Sequence, residues 1–149
     1  MKILGIDLGI RRTGLALASE FGLGIRLLSP VSVKNQAQLI ELICGLVLEE
    51  EINQIVIGIP ESRSPASITI ATRALSLKAA LEERFVRMPW SMKIVLIDET
   101  QSSKEGLKRL IASGASRSMR KEKIDSAAAA VIIEEYILMA KDQTCSGYH

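Results

Sequence analysis

Histidine is nearly absent from these 149 residues; the single one is His149, the last position. Chain ends fray readily, so no ordered imidazole is expected. A Ser-His-Asp triad, a Cys-His pair, an HExxH zinc site and a histidine general base are thereby excluded, and any hydrolysis has to run on carboxylates. Cysteine is scarce too. Cys44 lies in an apolar helical pattern and Cys145 in a polar tail, with neither CxxC spacing nor a histidine partner, which argues against a disulfide or a zinc site. Five aromatic residues in the whole chain make base stacking a poor main mode of nucleic-acid binding. No run reaches the roughly 18 apolar residues of a membrane span, and MKILGIDLG lacks a signal-peptide layout. A cytoplasmic protein with no membrane partner is expected.

What is present is a 48% hydrophobic composition, enough for one well-buried core at this length. One domain over residues 1–141 is expected, followed by a disordered tail, DQTCSGYH, over 142–149. Alternating apolar positions predict strands at about 2–8, 13–19 and 24–33, joined by short turns and therefore antiparallel. From Gln36 to Glu50 the period becomes helical, with Leu39, Ile40, Ile43, Leu46 and Val47 on one stripe. A buried strand over 53–59 stops at Pro60; a helix over 67–87, a strand over 93–97 ending at Asp98, and helices over 102–113 and 121–141 complete the chain.

The order βββαβαβαα predicts an α/β fold: a mixed five-stranded sheet, three antiparallel then two parallel strands, with helices on both faces. Right-handed crossovers place the fourth strand beside the first, so their C-terminal ends border one crevice, where a ligand should sit.

Acids gather at that crevice. Asp7 closes the first strand in GIDLGIRRTGLA, where flanking glycines let a backbone or phosphate approach closely; its plainer role would be an ordinary turn residue. Asp98 and Glu99 end the strand KIVLI. Adjacent strand residues point oppositely, so only one should face Asp7, and the other could cap the helix near Ser102. Asp125 lies within the first turns of a helix that is apolar nearly all round and shares a face with Ala129, Ile132 and Tyr136. A buried carboxylate there needs a partner, either a cation or an internal arginine or backbone amides. Three acids converging from separate elements suit Mg²⁺ or Mn²⁺, hard cations that take carboxylate oxygens and retain waters. With two metals, one can activate the attacking water and the other stabilise the leaving oxygen.

Net charge is only +2, but residues 104–123 hold seven basic side chains, among them Arg117, Arg120 and Lys121, against two acidic ones. Such a stretch can neutralise phosphates, or it can simply be a solvated loop.

The segments GIDLGIRRTGLALAS, IVIGIP, IDETQSS and KIDSAAAAVIIEEYI, in this order, resemble the YqgF-type (RuvX-like) family, related to RuvC-like Holliday junction resolvases. The resemblance covers Gly5 to about Ile137. It implies a ribonuclease H-like fold and a nuclease trimming the 5′ end of pre-16S rRNA, with ribosomal particles as further partners. It places the family's first aspartate on Asp7, the arginine of DxGxxRxG on Arg12, the acidic pair on Asp98 and Glu99, and the helix aspartate on Asp125. Thr100 stands where the family usually has arginine, and ESRSPAS replaces a glycine-containing loop, in which Glu61 is an additional candidate ligand. Alternatives are a junction-cleaving DNA endonuclease, a catalytically inactive nucleic-acid-binding module, and a sugar-kinase-type ATPase reading of DxGxxxxG, which would require a second domain.

Overall fold

The computed structural model describes residues 2–19, 24–60, 63–99 and 126–139. Strand β1 (Lys2–Leu8) turns through a four-residue loop into β2 (Thr13–Ser19), with Leu8 opposite Thr13 and Asp7 opposite Gly14. β3 (Arg26–Leu27) pairs antiparallel with β2. Helix α1 (Gln36–Glu50) leads to β4 (Ile52–Pro60), α2 (Pro65–Arg84) and β5 (Lys93–Glu99). A third helix, α3, is described over 126–139. The sheet order is β3-β2-β1-β4-β5, with β4 parallel to both β1 and β5. The predicted neighbourhood of the first and fourth strands is therefore present. The helix expected over 102–113, the start of the one expected from 121, and the tail lie outside the described residues.

The third strand is shorter than expected, and a bulge explains why. Ala16 pairs with Leu27 and the Leu28 amide donates to Leu15 O at 3.0 Å, but the next bridge joins Thr13 to Val31. The outer segment thus carries one residue more than β2 over this stretch, which includes Pro30, a residue that cannot donate to a ladder. At the break the Ser126 hydroxyl is inserted: it accepts from the Leu15 amide at 3.5 Å and donates to Leu28 O at 2.5 Å.

Helix ends follow their local chemistry. Asn35 caps α1, its side chain accepting from the Gln38 amide at 3.0 Å, and Glu51 ends it in the left-handed region (φ 57°, ψ 52°). α2 starts at Pro65 instead of 67, because Ser64 accepts from the Ser67 amide and proline's missing N–H costs nothing at N1. Its C-cap is Phe85, ahead of the expected 87.

Strand alternation divides the core into two layers. Leu4, Ile6, Leu15, Ile55 and Ile57 meet Leu39, Ile43 and Val47 of α1 and Ala74, Leu77 and Leu81 of α2. On the opposite face Ile3, Ala16, Ala18, Val56 and Ile97 meet Ala129, Ile132, Ile133 and Tyr136 of α3. α3 lies almost on the backbone of β1: a Cβ at Gly5 would stand 2.6 Å from Ala129 O and from Ile133 Cγ1. Among the described residues no helix is long and apolar enough to cross a membrane.

Candidate active site

The C-terminal ends of β1, β4 and β5 form one edge. Ile6 is level with Ile57, which is level with Leu96; one step further along β1 lies Asp7, and β4 and β5 continue through the pairs Ile59 with Asp98 and Pro60 with Glu99. Asp7 retains 8% of its surface exposed. It follows Ile3 and Gly5 in the row that faces α3. The sequence expectation of an acid at a strand end is met, and this acid is also largely withdrawn from water.

The two acids of β5 occupy different rows. Asp98 continues Ile94 and Leu96, which pack toward α1 and α2, and it is exposed. Position 99 belongs to the backbone row of Val95 and Ile97, which pack toward α3, as does the row of Asp7. Asp125, Glu61, Arg117, Arg120 and Lys121 lie outside the described residues. Among the described residues no group of three His, Cys, Asp or Glu side chains is close enough to hold a metal ion.

α3 is fixed beside this edge by its first described residue. Ser126 is completely buried, bridging Leu15 and Leu28, and Leu15 is the register partner of Ile6. From there the helix passes over Gly5 and reaches β4, where the Tyr136 hydroxyl donates to Gln54 Oε1 at 2.6 Å. It therefore starts near the C-terminal end of β1 and descends toward the opposite end of the sheet.

The loop after Asp7 is closely constrained. The Gly9 amide donates to Arg12 O at 2.9 Å, and a Cβ at position 9 would stand 2.4 Å from that oxygen, so only glycine fits. Arg11 and Arg12 are exposed, with Ile10 between Gly9 and Arg11 at 71% exposure. From α2, Arg73 reaches across to donate Nη1–H to Gly9 O at 2.9 Å. Sequence reasoning did not single out Arg73: an arginine on a helix ordinarily marks a solvated face, and nothing local connects it with a loop 64 residues earlier.

In architecture the molecule matches junction-resolving nucleases of the ribonuclease H-like fold. RuvC of Thermus thermophilus in complex with a Holliday junction substrate superposes with a TM-score of 0.59 at 16% identity, covering 95% of this chain and 96% of that one. The Fowlpox virus Holliday junction resolvase gives 0.58 at 13% identity, covering 93% and 99%. At such identities the likeness concerns the fold. The family is established by sequence: residues 1–139 match the RuvX family model, described as Holliday junction resolvase, and the chain belongs to that family. Similar curated proteins carry the name "Putative pre-16S rRNA nuclease", one from Geobacillus thermodenitrificans (31% identical, covering 92% of this chain and 97% of that protein) and one from Listeria monocytogenes (31%, 92% and 97%).

Proposed function

We propose that this chain is a metal-dependent nuclease that processes the 5′ end of pre-16S rRNA, with Asp7, Glu99 and Asp125 as its metal ligands. The observation that carries the reading is Asp7 itself: an acidic residue only 8% exposed at the end of β1, beside the parallel strand β4. An acid kept there suits a cation better than solvent. Glu99 is preferred to Asp98 because its backbone position shares the row that packs toward α3, whereas Asp98 shares the row of Ile94 and Leu96. Asp125 immediately precedes Ser126, which is anchored at Leu15, and consecutive Cα atoms are about 3.8 Å apart. That neighbourhood supports Asp125 as the third acid.

A donor set of carboxylates without histidine fits Mg²⁺ or Mn²⁺. Bound, such ions supply Lewis-acid stabilisation of developing phosphate charge and ease deprotonation of the attacking water. The chain's own residues orient and attract: Arg12 on the loop after Asp7, and Arg117, Arg120 and Lys121, contact phosphates without reading bases. The names of the similar Geobacillus and Listeria proteins favour the rRNA precursor, and ribosomal particles would then be partners in the cytoplasm. The family description favours a second substrate, the four-way DNA junction.

Cleavage of a pre-16S 5′ leader and of a synthetic junction, each with Mn²⁺, Mg²⁺ or chelator, tests both. The expected result is metal-dependent cutting of the leader, lost in Asp7→Asn while its circular dichroism stays native. Cutting of the junction alone selects the second substrate. Binding of either nucleic acid with no metal-dependent cleavage overturns the enzyme reading.

A further inference from the structure

We propose that Arg73 is a positioning residue: from α2 it clamps the Gly9 carbonyl and so fixes the loop that carries Arg12 and follows Asp7. This rests on the nuclease reading above for its consequence, but not for the clamp.

Three observations support it. The Arg73 Nη1–H to Gly9 O bond, 2.9 Å and partly buried, is a hydrogen bond to the loop from a different element. Gly9 closes the loop through its own amide to Arg12 O at 2.9 Å, with no room for a Cβ. The loop presents Ile10 and Arg11 to solvent, so these two side chains add little packing of their own. A loop so short and exposed would otherwise open readily; a charged donor on its first carbonyl makes a bond roughly twice as strong as a neutral one.

The clamp also acts from the useful side. α2 packs on the sheet face opposite α3, and Asp7 belongs to the α3 row. Arg73 therefore holds the peptide two residues after Asp7 without occupying the Asp7 side of the sheet. In a carboxylate site a displacement of about 1 Å can cost on the order of a hundredfold in rate, so fixing that peptide affects turnover more than affinity.

The test compares wild type, Arg73→Met and Arg73→Lys. Amide exchange at Gly9 is the readout independent of catalysis, because that amide is hydrogen-bonded across the loop. Arg73→Met is expected to accelerate it on the order of tenfold, and Arg73→Lys, which keeps a charged donor, should restore part of the protection. In cleavage, Arg73→Met should lower kcat on the order of tenfold or more with KM and the salt dependence of binding unchanged. Unchanged Gly9 exchange in Arg73→Met overturns the clamp. Accelerated exchange with a raised KM, a flattened salt slope and intact kcat would show that Arg73 meets phosphate, overturning the positioning role. If wild type cleaves nothing, the nuclease reading fails and Gly9 exchange still decides the clamp.

Discussion

Replacing Gly5 by alanine adds a single methyl group, and the structure states what it would strike. The new Cβ would lie 2.6 Å from Ala129 O and from Ile133 Cγ1, and 2.9 Å from Ile133 Cδ1. The Ile133 atoms can partly rotate aside. The carbonyl cannot, because it belongs to the backbone of α3, so the helix must lift from β1. Inserting a methyl group into a packed interior costs about 1–3 kcal/mol, and for a chain of this size each kcal/mol lowers Tm by roughly 2–4 °C. At about 2 kcal/mol, the middle of the first range, Tm should fall by about 4–8 °C. A double-mutant cycle with Ile133→Ala separates the two contacts. Alone, Ile133→Ala should cost about 2–5 kcal/mol through its cavity; in the Gly5→Ala background it should cost less, with a coupling on the order of 0.5–3 kcal/mol. The double mutant should not match Ile133→Ala, because the Ala129 carbonyl still meets the added methyl. Thermal melts and denaturant titrations of all four proteins give the cycle. If Gly5→Ala melts within about 1 °C of wild type, or the two substitutions are additive, the contact between β1 and α3 is looser than argued and α3 is not seated as described.

Ser126→Ala removes the bridge between the buried Leu15 amide and the partly buried Leu28 O, and leaving these two backbone groups without it should cost about 1–3 kcal/mol by denaturant titration; a loss below about 0.5 kcal/mol would show that the strands close the gap themselves. Replacing Arg117, Arg120 and Lys121 together by alanine should weaken binding to all sequences alike and flatten the slope of log K against log salt by roughly 0.7–0.9 per lost phosphate contact; an unchanged slope would make them a solvated loop. Divalent cation at about a hundredfold excess over its dissociation constant should stabilise wild type by about 2.7 kcal/mol, and Asp125→Asn should remove most of that response in thermal melts with and without Mn²⁺. A strongly destabilised Asp125→Asn that keeps the full metal-induced shift would place Asp125 in a structural ion pair instead.

Local sequence determined the elements whose apolar period was unbroken. KILGIDL and TGLALAS form strands at the expected positions, Gln36–Glu50 is the expected helix, and the crossover rule placed β4 beside β1, because side-chain period and connection length are local properties that the chain carries wherever it packs. The end of β1 was legible for the same reason: an acid between apolar and glycine-rich segments interrupts a strand visibly. Three features were decided only by the tertiary structure. The third strand breaks after Leu27 at a bulge that a hydroxyl from residue 126 fills, between the Leu15 amide and Leu28 O, and a partner for a backbone hydrogen bond that lies 98 residues away in sequence leaves no trace near Leu28. Asp98 and Glu99 are adjacent and alike in sequence; their rows were separated only when the pairing register with β4 set which row packs toward which helix, since strand alternation fixes opposition but not direction. Arg73 became visible last, because the carbonyl that orients its guanidinium belongs to another element, and proximity between elements is created by folding.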